Sequence, residues 1–232
     1  KQPIDMNLAV EALFYFSLHL KLGIRSKVKH RIYADKAMRL LNVINFSLPV
    51  NYFQEAIPYN IFNRSFFLLY AIGSLYEQGI GQQRIEHICT DLSFPLASAM
   101  PLMQFNKLGR LFSMTRLISL GCTKEQHWKD QCRLLRSSLS LEKLFNEELG
   151  GKQLGLSDGL TGAMLLMAGT NHYSERPLFD LPWDYYKKKI CQYTTLTTMA
   201  DKEVPFYQHG LNWLWGMKMA LALETRKEPF RF

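Results

Sequence analysis

The sequence predicts an all-α protein: an α/α toroid, whole or incomplete, of about four to five helix-pair repeats, with an open α-solenoid as the alternative. Three observations carry this expectation. Apolar runs of helical length recur along the chain, and four of them stop at Gly23, Gly79, Gly121 and Gly169, at intervals of 56, 42 and 48 residues. More charged, one-sided segments lie between them. Pro49, Pro58, Pro95, Pro101, Pro177, Pro182 and Pro205 fall between the runs, and no stretch alternates apolar with polar residues as a half-buried strand does. A helix apolar on all sides belongs in an interior and a one-sided helix belongs on a surface. Their alternation implies an inner set of helices wrapped by an outer set.

Taken in order, Asp5 to Gly23 is the first apolar run, with Leu8, Val10, Leu13, Phe14, Phe16, Leu18 and Leu20; His19 within it reads as a satisfied core residue. Val28 to Phe46 places Ile32, Met38, Leu41 and Ile44 on one side and Lys29, Arg31, Lys36 and Arg39 elsewhere, the pattern of an outer helix. Asn60 to Gly79 is the second apolar run, carrying Phe66, Phe67, Leu68, Leu69, Ile72 and Leu75. The amphipathic segment Gln82 to Leu92 is shorter. Asn106 to Gly121 follows with Leu108, Leu111, Phe112, Met114, Leu117 and Ile118. Thr123 to Ser137 opens with Thr123-Lys124-Glu125-Gln126, a capping-box pattern. Glu147 and Glu148 belong to a polar helix and read as solvated.

Leu156 to Gly169 carries Leu160, Met164, Leu165, Leu166 and Met167, after which Asn171-His172-Tyr173 reads as a loop. Trp183 to Met199 puts Lys187, Lys188 and Lys189 on a wet face. Gln208 to Glu224 is the fifth apolar run, with Leu211, Trp213, Leu214, Trp215, Met217, Met219, Leu221 and Leu223. Each terminal glycine reads as a left-handed helix stop, which Gly adopts cheaply because it has no Cβ. The period is roughly fifty residues, so the 232 residues make one array without a linker, a single all-α helical-repeat domain over 1–232.

Composition bounds function from outside. Lys and Arg outnumber Asp and Glu by 28 to 20, a net charge of +8, and 47% of residues are hydrophobic. That excludes a disordered or collagen-like chain. The 4 cysteines, at 89, 122, 132 and 191, are too few and too scattered for a disulfide scaffold or a CxxC zinc site, and read as reduced core thiols. No apolar run approaches the roughly 20 residues that cross a bilayer, so no transmembrane segment is expected and the address expected is cytoplasmic. No P-loop, dinucleotide fingerprint, HExxH or GxSxG occurs.

Two stretches open inner helices and carry the candidate chemistry. In Gly155-Leu156-Ser157-Asp158-Gly159-Leu160-Thr161-Gly162, Ser157 or Asp158 is the expected N-cap, and Gly159 and Gly162 let a backbone or ligand approach closely. In Tyr207-Gln208-His209-Gly210-Leu211, His209 is a candidate acid, base or metal ligand, because imidazole titrates near neutrality. Asp158 and His209 are the candidate catalytic pair. Ser157, Gly159, Gln208 and Trp213 are the candidate binding residues, and His209 is the candidate metal ligand.

These stretches resemble the repeats of the lanthionine synthetase C-like (lanthipeptide cyclase) family, an α/α toroid whose inner helices start with motifs of the form GLxHGxAG, WCxG and CHG. The first stretch looks like GLxHGxAG with Asp158 in the place of His. Gln208-His209-Gly210 is similar to CHG with Gln208 in the place of the zinc-binding Cys. The resemblance implies a peptide partner and work in peptide maturation, with a Cys-Cys-His zinc site turning a substrate thiol into a nucleophilic thiolate. Here only His209 matches a ligand by motif, and no Trp-Cys-x-Gly is present. The expectation is therefore a divergent, shortened member without the full zinc cyclase site and with no resident cofactor, zinc being the one the resemblance implies.

Two alternatives stand beside it. One is a non-catalytic helical-repeat scaffold for a protein partner. The other is a carbohydrate-active toroid enzyme using paired carboxylates, Asp158 with Glu203 or Asp201. The basic cluster Lys21, Arg25, Lys27, Lys29, His30 and Arg31 lacks a nucleic-acid reading module, so a peptide or protein is the expected partner class and a specific nucleic acid is not.

Overall fold

The apolar and amphipathic periods emerge as helices in alternation. A computed structural model describes residues 5–22, 27–48, 52–53, 64–98, 101, 103–124, 126–149, 159–189, 218 and 221–222. Its elements are α1 (Met6–Lys21), α2 (Lys27–Ser47), α3 (Arg64–Glu77), α4 (Gln82–Ser98), α5 (Gln104–Ser119), α6 (Gln126–Ser138), a π-helical segment (Lys143–Glu148) and α7 (Leu160–Tyr173). Residues 183–189 form a further short helix. Among the described residues there is no strand.

Neighbour relations follow the predicted division of labour. The odd-numbered helices form a row, α1 against α3, α3 against α5 and α5 against α7. The even-numbered helices flank it: α2 packs on α1, α4 on α3, α6 on α5, and α4 also touches α6. Burial explains the order. In α3, Leu68, Leu69, Ala71, Ile72 and Leu75 are essentially inaccessible, and α7 buries an unbroken stretch from Leu160 to Met164. Each large side chain of this kind stabilises the packed state by ~1.5–3 kcal/mol over exposure. In contrast α2 buries only Ala37, Leu41 and Ile44. Side chains also bridge the flanking layer, where Arg84 Nε donates to Asn42 Oδ1 at 2.9 Å and Asn45 Nδ2 to Asp91 Oδ2 at 3.0 Å.

Helix ends account for several boundaries. Asp5 caps α1, its carboxylate accepting from the amides of Asn7 and Leu8. Gly79 and Gly121 are the expected left-handed stops, with φ of 71° and 80°. Both sit in the Schellman arrangement: Ile80 N donates to Leu75 O and Gly79 N to Tyr76 O, and Cys122 N to Leu117 O and Gly121 N to Ile118 O.

Other boundaries differ from the sequence expectation. Gly169 is not a stop; α7 runs through it to Tyr173, because a Cβ there would lie 2.6 Å from the Phe112 ring. This glycine permits close packing of α7 on α5. Asn171-His172-Tyr173 is accordingly the last turn of α7, not a loop. The α4 helix continues through Pro95, whose missing amide costs a single intrahelical bond near the C-terminal end. The capping box fails because α6 begins at Gln126, with Thr123 held outside it after the Gly121 turn; the Gln126 side chain instead donates to Asp130. His19 is exposed on α1 rather than buried in the core. Gly23 and most of the fifth apolar run lie outside the described residues.

Candidate functional site

The C-terminal ends of the row converge on one buried cation. Arg116, in the last turn of α5, is 2% exposed. Its guanidinium donates to Tyr70 O at 3.1 Å, Ser74 Oγ at 3.2 Å and Glu77 Oε2 at 3.0 Å, all on α3. Lys21, the final residue of α1, meets the same Glu77 oxygen at 3.0 Å. The guanidinium also lies over the rings of Tyr70, at 4.5 Å, and Tyr173 on α7, at 5.9 Å. One Lys–Glu–Arg chain thus joins the last turns of α1, α3 and α5, and the Tyr173 ring adds the last turn of α7, so the four row helices run in the same direction.

Chemistry dictates that composition. An Arg taken out of water stays charged, so its burial is tolerated only if its donors are paired. Burial alone would lower the Arg116 pKa, and Glu77, Tyr70 and Tyr173 together more than offset this, so the group is held above its ordinary value. Burial also raises Tyr70, with Arg116 opposing. Gly73 makes the room, since a Cβ there would stand 2.6 Å from Arg116 Nη1. Nearby, the Tyr76 hydroxyl lies 2.9 Å from Glu86 Oε1 and 3.1 Å from Gly121 O, tying α3 to α4 and to the α5–α6 turn.

The starts of α5 and α7 lie at the other end of the row, about 20 Å away at 1.5 Å per helical residue. Here the π-helical segment presents Glu148, which is not solvated as expected: its two carboxylate oxygens accept from the amides of Gln104 at 2.7 Å and Phe105 at 2.9 Å. A carboxylate on unpaired first-turn amides is favoured by both the hydrogen bonds and the helix dipole. Glu147 is exposed, as the sequence implied. Arg110, 4% exposed, donates to Phe53 O at 2.9 Å and lies over the Phe53 ring. At the start of α7 the Thr161 and Tyr186 hydroxyls are 2.8 Å apart and buried.

Of the residues singled out by motif, Gly159 is described. It is buried and is itself the N-cap of α7, with no side-chain cap bond. Neither Ser157 nor Asp158 takes that position, because the helix starts at Leu160. Ser157, Asp158, Gln208, His209 and Trp213, with Asp201 and Glu203, lie outside the described residues. Cys191 lies outside as well.

The described thiols suit neither metal binding nor attack. Among the described residues Cys89, Cys122 and Cys132 are in no disulfide. Burial pushes the Cys122 thiol up to about 12 and the Cys132 thiol up to about 11, so both stay protonated near neutral pH. Among the described residues no group of three or more His, Cys, Asp and Glu could hold a metal ion. No helix of the described residues is long and apolar enough to cross a membrane.

No protein-family model, no curated protein and no solved structure matches this chain significantly.

The belt around Arg116 escaped the sequence reading, which counted only the apolar members of the third run. A signal was present: Arg110 and Arg116 interrupt a run otherwise fit for an interior, and a charge on a buried helix calls for a partner.

Proposed function

We propose that the chain is a divergent lanthionine synthetase C-like protein, an α/α toroid, whole or incomplete, that binds a modified peptide during its maturation. The peptide lies against the starts of the inner helices, near Asp158 and His209, with Ser157, Gly159, Gln208 and Trp213 lining it. The observation that carries this reading is the row α1–α3–α5–α7 with a flanking helix behind each of its first three members. The family's architecture has such an inner-and-outer division, and so does the alternative, an open α-solenoid. The parallel course of the row supports the reading further, since it brings the starts of successive inner helices to one end.

The residues do not fit the family's Cys-Cys-His zinc centre. Gln208 stands where a thiolate is needed, no Trp-Cys-x-Gly supplies the second one, and the buried Cys122 and Cys132 thiols are held protonated. The role proposed is therefore binding, with no thiol-addition step assigned to a metal.

The test is calorimetric titration with a peptide that contains dehydroalanine and cysteine, alongside zinc analysis of the purified protein and alkylation of the peptide thiol after incubation. Binding is expected, weakened about tenfold or more in Asp158→Ala and His209→Ala, with substoichiometric zinc and the peptide thiol still alkylatable. Equal affinity in both variants would remove the site. Stoichiometric zinc together with thiol loss would overturn the claim of an incomplete centre. The scaffold alternative is favoured by the exposed apolar stripe of α1 described next.

A further inference from the structure

Five of the large apolar side chains exposed on the described surface sit on α1 and the first half of α2 or at their ends: Leu8, Tyr15, Leu22, Val28 and Ile32. On α1 the set Leu8, Ala12, Tyr15, His19 and Leu22 is spaced by four, three, four and three residues, a heptad-like seam on one helix face. It is a second apolar face, because Val10, Leu13, Phe14, Ser17 and Leu20 already turn toward the core. Tyr15 is 58% exposed and Leu22 67%, so the seam lies open. Its lower half lines a groove of about 530 Å³, formed by Ala12, Tyr15, Phe16, Leu18, His19, Leu22 and, from α2, Tyr33.

The groove has a preformed wall and a charged rim. Tyr33 packs its ring 5.6 Å from Phe16 and edge-on to His19 at 5.1 Å, which fixes the α2 side. Lys36 holds its ammonium 5.9 Å from the Tyr33 ring. One turn to the other side of Tyr33, on the same face of α2, are Lys29 and His30, and Lys27, Arg31 and Arg39 are exposed on the same helix. Against these, Glu11 on α1 and Asp35 on α2 are the exposed acidic groups of the pair.

We propose that this groove docks an acidic amphipathic helix of a partner protein, its apolar face laid into the seam and its carboxylates over the α2 basic side. Charge complementarity selects the partner's sign. The concavity and the seam, about 21 Å from Leu8 to Leu22 at 1.5 Å per residue, select a helix of about four turns. The proposal does not rest on the peptide site near Asp158 and His209.

The test uses the full chain and a labelled designed helical peptide of about 18 residues, with Leu at heptad positions and Glu on its polar face, in fluorescence anisotropy. Tyr15→Ser and Leu22→Ser are each expected to weaken binding about tenfold, and Lys36→Glu by several-fold, with unchanged thermal melts because these side chains are exposed. The same peptide with Lys for Glu is expected to bind at least about tenfold more weakly. Binding should fall with salt, since the rim charges are exposed. Carbene footprinting should label Tyr15 and Leu22 in the free chain and spare them in the complex. Equal affinity for the Glu and Lys peptides would overturn the proposal, as would absence of binding. Protection of Tyr15 in the free chain would also overturn it, whether sedimentation shows a second copy or a monomer covering its own seam. Tyr15-dependent binding to anionic vesicles without peptide binding would assign the face to a membrane surface instead.

Discussion

Gly73 and Arg116 form a pair whose coupling can be measured. Gly73→Ala puts a methyl 2.6 Å from Arg116 Nη1 and 3.1 Å from Cζ, closer than real Cβ contacts allow. The guanidinium must then shift away from α3, which strains its bonds to Tyr70 O, Ser74 Oγ and Glu77. Removing one partner of a buried ion pair costs ~3–5 kcal/mol. Glu77 retains Lys21 and is 24% exposed, so the lower end of that range applies and about 3 kcal/mol is expected for Arg116→Ala. Gly73→Ala alone should cost about 2 kcal/mol or more. With Arg116 already Ala, the same change meets Leu117 Cδ2, at 3.3 Å, and gains helix propensity, for a stabilisation of at most ~0.5–1 kcal/mol. Urea unfolding of the wild type, both single variants and the double variant gives the coupling energy as a cycle. A reversal of sign for Gly73→Ala between the two backgrounds is predicted. Equal and additive effects would refute the packing of Arg116 against α3.

Further outcomes follow from the same structure. Glu148→Ala should destabilise by about 1–2 kcal/mol through loss of the α5 cap, while Glu147→Ala changes the urea midpoint little. Gly169→Ala, which drives a methyl into the Phe112 ring, should cost about 1–3 kcal/mol by thermal melting. Stability should also fall on the alkaline side. Cys122, Cys132 and Tyr186 have folded-state values raised from 9.0, 9.0 and 10.0 to about 12, 11 and 12, chiefly by burial. The native state therefore holds protons that the unfolded chain releases. The contribution is intact below pH 9 and is lost as pH rises through the folded values, at most about 1.4 kcal/mol per pH unit for each group. Cys122→Ala should flatten the melting-temperature profile above pH 9, and an unchanged slope would count against a buried protonated thiol.

The all-α class and the order of its helices were legible because period and turn chemistry are local. The Gly79 and Gly121 stops followed from apolar runs ending at glycine. Gly169 misled because the same residue type serves a different need, close approach to Phe112, which depends on a helix 57 residues away in the sequence. Glu148 was misread for a similar reason. A carboxylate on a polar segment looks solvated until the fold sets it on the first amides of α5, more than forty residues earlier. Likewise the exposed position of His19 reflects which α1 face lacks a neighbour, a property of the array and not of the run. Of the candidate site, Gly159 stands at the start of α7, and its other members lie outside the described residues. The charged belt at the opposite end depends on four helices at once, so no local pattern could assemble it.

The central claim is a peptide site near Asp158 and His209 without a complete zinc centre. Its most direct test is titration of a dehydroalanine- and cysteine-containing peptide into the wild-type chain and into the Asp158→Ala, His209→Ala double variant. The account predicts saturable binding that the double variant weakens by about a hundredfold, with the peptide thiol remaining free. Identical isotherms for the two proteins, or consumption of the thiol by a zinc-loaded chain, would contradict it.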